Sequence, residues 1–133
     1  MDNITRKDNV NKNCIKRKYH DNGNIRFELH YLNDKHHRED GPAIEDANGN
    51  KAWYLNGKLH REDGPAIEDA DGDKEWYLND KIHREDGPAL ERANGFKSWW
   101  LDGKRYSETE YKRELICRGI NKEPSLSDIM DAI

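Results

Sequence analysis

The stretch Gly41–Asp63, GPAIEDANGNKAWYLNGKLHRED, is followed at once by Gly64–Asp86, GPAIEDADGDKEWYLNDKIHRED, and the near-identity of the two decides the fold. HREDGPA recurs at His37–Ala43, His60–Ala66 and His83–Ala89. The aromatic pairs Trp53-Tyr54, Trp76-Tyr77 and Trp99-Trp100 keep the same 23-residue step. Such a fixed period marks an array of stacked units, each in contact with its neighbours. Every unit carries two turn signals: Asn48-Gly49 and Asn56-Gly57, then Asp71-Gly72 and Asn79-Asp80, then Asn94-Gly95 and Asp102-Gly103. These dipeptides tolerate the positive φ of tight hairpins. The β-branched and aromatic runs between them are too brief for helices, so each unit is expected to hold two antiparallel strands.

A two-residue turn at Asn48-Gly49 sets an expected register: Ala47 opposite Asn50, Ile44 opposite Trp53, Ala43 opposite Tyr54, and Pro42 opposite Leu55. Ile67 with Trp76, Ala66 with Tyr77, Leu90 with Trp99 and Ala89 with Trp100 follow. Small residues then face large ones, as favourable cross-strand pairing requires. Around Asn56-Gly57 the same reasoning opposes Tyr54 to Leu59 and Trp53 to His60. The Gly-Pro step is expected to break the ladder as a bulge or bend, because proline donates no hydrogen bond.

Upstream, IRFELHYLNDKHHRED from Ile25 to Asp40 is a degenerate first unit. Its Ile25, Phe27, Leu29 and Tyr31 share a face. Three extra residues between Asn22-Gly23-Asn24 and Tyr31 imply longer strands, as in a cap. Downstream, Tyr106 stands where His83 would recur and SETE replaces REDG. Ser107 with Glu110 forms a capping box, so a helix of roughly three turns is expected up to Cys117, ended by Arg118-Gly119, with Tyr111 and Leu115 on one side. That helix would cover the last strand edge. The expected organisation is therefore an N-terminal strand or cap (1–19), a repeat array (20–106), a capping helix (107–119) and a tail (120–133). A short helical turn is expected in SLSDIMDAI, 125–133. The fold class is mainly β, an elongated single-layer antiparallel meander of about four hairpin repeats with a C-terminal capping helix.

Composition narrows the function. With 33% hydrophobic and 38% charged residues in 133, there is little material for a thick core. No apolar run reaches the roughly 18 residues of a membrane span, and the first residues lack the apolar stretch of a signal peptide. A cytoplasmic protein is expected, with Cys14 and Cys117 as free thiols. The net charge of -4 gives no general attraction to nucleic acid or anionic membranes. Only Lys16-Arg17-Lys18 is locally basic, read as a solvated strand face.

The order Trp, turn glycine, basic residue, His, glycine, short strand, Asp/Asn-Gly and a further Trp at 23 residues resembles the membrane occupation and recognition nexus (MORN) repeat. Over about residues 20–106 it is most similar to the WYLNGKLHREDGPA variant of bacterial, phage and giant-virus proteins. Glu62-Asp63 before Gly64 replaces the first glycine of the usual pattern. The resemblance implies an elongated meander and a family that binds proteins or lipid head groups, with no shared chemistry. From the phage association follows the expectation of an inhibitor of a bacterial defence complex, such as a CRISPR effector.

The recurring His, Arg, Glu and Asp invite an active-site reading, and spacing argues against it. Two strands per unit place equivalent residues roughly 10 Å apart. A zinc ion with ligands at about 2.1 Å does not gather His37, His60 and His83 over that distance. Asp40, Asp63 and Asp86 are likewise beyond the roughly 5–5.5 Å of a retaining glycosidase pair. The structural reading pairs Arg61 with carboxylates of its own or the adjacent unit and packs His60 against Trp53. Trp53, Trp76 and Trp99, with His37, His60 and His83, are accordingly assigned structural roles. The other aromatic row, Tyr31, Tyr54, Tyr77 and Trp100, is the expected partner-contact surface, together with Arg38, Arg61 and Arg84. In the competing structural reading this row stacks on itself and on Leu59 and Ile82. The expected function is a non-enzymatic protein-interaction module, monomeric or homodimeric, without cofactor or metal. The alternatives are a small-ligand or nucleotide-binding protein, with arginines for phosphate, and an oligomerising scaffold.

Overall fold

Two kinds of turn, alternating along the chain, generate the architecture. The computed structural model describes residues 12–120; the expected turn at 125–133 lies outside them. At Asn56-Gly57 both residues take positive φ, 51° and 80°, the geometry of a type I′ turn. Strands β6 (Tyr54–Leu55) and β7 (Lys58–Leu59) pair across it with Tyr54 opposite Leu59, as the sequence predicts. The turn at Asn48-Gly49 differs. Asp46 N–H donates to Asn50 O at 3.1 Å and Gly49 N–H to Asp46 O at 3.2 Å, with Gly49 at φ 97°. This is a three-residue loop closed by a left-handed glycine, and it shifts the register by one. Strands β4 (Ile44–Asp46) and β5 (Lys51–Ala52) therefore pair Ile44 with Ala52, and not with Trp53 as expected. Asp46 is the cause: its Oδ1 accepts the N–H groups of Asn48 and Asn50 and its Oδ2 the Asn50 side chain, an Asx arrangement that wraps the extra residue.

Four short segments, and not two strands, make up each central unit. The run from Lys51 to Leu55 is interrupted at Trp53: β5 lies between β4 and β8 (Ile67–Glu68), whereas β6 pairs only with β7. The next unit repeats this with β9 (Lys74–Glu75), β10 (Tyr77–Leu78) and β11 (Lys81–Ile82), interrupted at Trp76. The end units are unbroken. β1 (Asn13–Tyr19) pairs along its length with β2 (Ile25–Leu32), which also pairs β3 (Lys35–His36) and β4. At the other end β12 (Leu90–Glu91), β13 (Lys97–Leu101) and β14 (Lys104–Tyr106) close the array. A ten-stranded antiparallel sheet in the order β1-β2-β4-β5-β8-β9-β12-β13-β14, with β3 beside β2, is thus flanked by hairpins β6-β7 and β10-β11. Hydrogen bonds from Arg61 N to Tyr77 O and from Asp80 N to Leu59 O, 3.1 and 2.9 Å, tie those two hairpins together. The protein is mainly β, an antiparallel meander that does not close into a barrel.

The expected irregularity at Gly-Pro is present. Ala43 N–H donates to Ala52 O, one residue out of step with the Ile44–Ala52 pairing, and Ala66 to Glu75 and Ala89 to Ser98 repeat the slip. Ala43, Ala66 and Ala89 are wholly buried. Trp53 N–H donates to Ala66 O and Trp76 N–H to Ala89 O, so each indole residue faces the alanine of the next unit. Helix α1 (Glu108–Cys117) begins at Ser107 with the full capping box and ends at Arg118, followed by Gly119 at φ 75°. It packs on β13 and β14, burying Tyr111 and Leu115 with Leu101.

Candidate interaction grooves

Each letter of HREDGPA has a structural partner. Arg61 lies with its Cζ 3.8 Å from the centroid of the Trp53 ring, and Arg84 lies at the same distance over Trp76. A guanidinium stacks well on indole because it is planar and weakly hydrated. Arg61 Nε donates to Asp63 at 3.1 Å, and Nη1 to Pro65 O at 3.1 Å and to Glu68 at 2.7 Å. Arg84 repeats this with Asp86, Pro88 O and Glu91. The glycine supplies room: a Cβ on Gly64 would stand 2.9 Å from Arg61 Cζ. In the first unit His30 occupies the tryptophan position, and Arg38 Nη1 approaches its Nε2 at 3.1 Å while Nε donates to Asp40.

The histidines join units. His60 Nδ1 accepts the backbone N–H of Asn79 at 3.1 Å, His37 that of Asn56 and His83 that of Asp102, both at 2.9 Å. A backbone N–H only donates, so Nδ1 is the acceptor and the ring proton sits on Nε2. There it faces Glu39, Glu62 or Glu85 at 3.2, 3.1 and 2.8 Å. His60 N–H donates to Trp53 O, as the expected register requires, and the Arg61 guanidinium lies over the indole. On the sheet side, Asn50 Oδ1 accepts Ala70 N–H and Asp73 Oδ1 accepts Ala93 N–H. Both rows of turns are therefore latched by side chains of the preceding unit.

The row of Tyr31, Tyr54, Tyr77 and Trp100 is half-buried. Tyr31 stacks on His36, with centroids 4.6 Å apart, and His36 meets Tyr54 at 5.3 Å. Tyr77 Oη donates to Glu75; burial, then that carboxylate, push its hydroxyl up to about 12. Trp100 donates to Ser98.

Trp53 and Leu55 point to the other face, and there the surface is grooved. Between successive Arg-Glu-Asp loops run open grooves of similar make. One is floored by Trp53 and Leu55, walled by Glu39–Gly41 and Arg61–Asp63, with a volume of about 650 Å³. The next has Trp76 and Leu78 between Arg61–Gly64 and Arg84–Asp86, about 800 Å³, and is also lined by Ile120. A third, about 490 Å³, has His30 and Leu32 below Arg38–Asp40. Their rims are acidic, since the carboxylates of Glu39, Asp40, Glu62, Asp63 and Asp86 are at least 81% exposed. The salt link from Arg38 holds the Asp40 carboxyl below its ordinary range. Among the described residues no three His, Cys, Asp or Glu side chains converge on a common point for a cation, Cys14 and Cys117 are exposed and unpaired, and no helix is long and apolar enough to cross a membrane.

Sequence reasoning found the aromatic rows and missed the grooves, because it set Trp53 against Ile44 and His60 and left Arg61 to carboxylates. The signal was available: arginine follows histidine eight residues after Trp53 and after Trp76, and at Trp99, where Ser107 takes the arginine position, a helix begins. The chain matches no family model, no curated protein and no solved structure.

Proposed function

We propose that this chain is a non-enzymatic, MORN-like protein-binding module whose partner lies along the grooved face. The observation that carries the reading is the recurrence of an apolar Trp/Leu floor between polar loops, unit after unit. Partly exposed indole and leucine framed by polar rims is the composition of an interaction hot spot. The histidines, arginines and most carboxylates of the motif are engaged in holding neighbouring loops, which leaves them poorly placed to move protons for a reaction. A nucleotide is disfavoured by the same bonds: a phosphate approaching Arg61 would have to displace Asp63 and Glu68 and pass the carboxylate of Glu62.

The test is capture by the immobilised full-length chain from lysate of the cells that naturally express it, with mass spectrometry of what is retained. Two controls separate the faces: Leu55→Lys with Leu78→Lys, which obstructs the grooves, and Tyr54→Ala with Tyr77→Ala, which alters the opposite row. A protein held by the native chain and by the tyrosine variant, and lost with the lysines, supports the reading. Retention of nucleotides alone, or of proteins indifferent to the lysines, overturns it.

A further inference from the structure

Resting on the protein-binding reading, we infer that the groove floored by Trp53 and Leu55 receives an amphipathic helix of a partner protein, which inserts an aromatic side chain and a leucine one turn apart. The protein contains the precedent. At the C-terminal end the same floor recurs as Trp99 and Leu101, and the loop on one side is Arg84–Gly87. Here the space is filled. Helix α1 inserts Tyr111 and Leu115, four residues apart, and both are 2% exposed. Tyr111 Oη donates to Arg84 O and accepts Gly87 N–H at 3.2 Å. Leu101 is consequently wholly buried, whereas its equivalents Leu55 and Leu78 are only partly so.

In the Trp53 groove the equivalent atoms are Arg38 O and the N–H of Gly41. Among the described residues that amide has no hydrogen-bond partner, and neither has Gly64 N–H in the Trp76 groove. A hydroxyl arriving on a tyrosine ring would satisfy both atoms at once, as Tyr111 does one end of the array further on. The Trp76 groove carries Ile120 in its lining, whereas the Trp53 groove is lined by the repeat units alone. Charge favours a basic flank on the partner helix. In α1 the cations Lys112, Arg113 and Arg118 near the buried pair are interleaved with Glu108, Glu110 and Glu114, and Arg118 Nη1 reaches Asp102 at 2.7 Å. The Trp53 groove offers the exposed carboxylates of Glu39, Asp40, Glu62 and Asp63 to a basic flank. A second copy is not the donor, because its Tyr111 and Leu115 are committed to its own array.

The probe is a synthetic peptide of residues 107–119 carrying Cys117→Ser, titrated into the full-length chain labelled with ¹⁵N. The expected result is a saturable shift of the Gly41 amide with the Gly87 amide unmoved. Affinity should fall at least about tenfold when the peptide carries Tyr111→Ala, the usual effect of removing an aromatic anchor. Leu55→Lys in the protein, with an unchanged circular dichroism spectrum, should abolish binding. Three results overturn the inference: no saturable shift, binding indifferent to Leu55→Lys, or movement of Gly87 without Gly41, which would mean exchange with α1 of the same chain. A chain that captures a protein from lysate through its grooves and ignores the peptide keeps its protein-binding function and loses the helical partner.

Discussion

Arg61 lies over Trp53, 3.8 Å from ring centroid to guanidinium carbon, and Gly64 approaches that carbon so closely that a Cβ on it would stand 2.9 Å away. Because the guanidinium is held at Asp63, Pro65 and Glu68, it has little freedom to retreat. Gly64→Ala is expected to destabilise the chain by about 0.5–1 kcal/mol through loss of the stack. In an Arg61→Ala background the same glycine substitution should cost almost nothing. Chemical denaturation of the four proteins of this cycle checks the coupling; equal costs in both backgrounds would refute it.

The bond from Asn79 N–H to His60 Nδ1 predicts a local effect. Replacing His60 by Ala leaves the turn amide without its acceptor, at a cost of about 1 kcal/mol. Hydrogen exchange at Asn79 should accelerate, while Asn56, served by His37, stays protected. Acceleration spread evenly over both turns would contradict a unit-to-unit latch.

Leu101 is the largest wholly buried side chain among the described residues. Leu101→Ala is expected to cost about 2–5 kcal/mol, and, by loosening α1, to expose the edge at β14 to association. Tyr111→Phe, which keeps the ring, should cost only about 1 kcal/mol. Thermal unfolding with light scattering distinguishes them: aggregation is expected for the first variant and not the second.

Acid should weaken the N-terminal end. Hydrogen bonds from Arg17 and then His30 hold the Glu28 carboxyl down at about 2, against an ordinary 4.5. A carboxylate with a depressed folded-state pKa contributes stability that is present above the unfolded value and lost as pH falls through the folded one. Stability should therefore decline between about pH 4.5 and pH 2. Glu28→Gln should lower stability at neutral pH and flatten that part of the profile, measured as the midpoint of urea unfolding.

What the residues announce in advance is whatever depends on local dihedral preference or on repetition. The 23-residue step, the Asn56-Gly57 hairpin and the box at Ser107 and Glu110 are of this kind. The register at Asn48-Gly49 is different, since the deciding group is a side chain outside the dipeptide: Asp46 bonds across three residues and draws Gly49 into the left-handed position. The arginine stack was also hidden, because residues eight apart, Trp53 and Arg61, meet only once the intervening hairpin has folded back. The grooves follow from that fold-back and were invisible for the same reason.

The imidazole that reaches from one unit into the following turn gives the array a direction and makes its internal joints interchangeable. Excising 23 residues, from His60 through Ile82, joins Leu59 to His83 and leaves the remaining imidazole joints, His37 to Asn56 and His83 to Asp102, chemically as before. The chain can thus gain or lose whole units by recombination between its near-identical segments, altering how many grooves it displays without redesigning any of them.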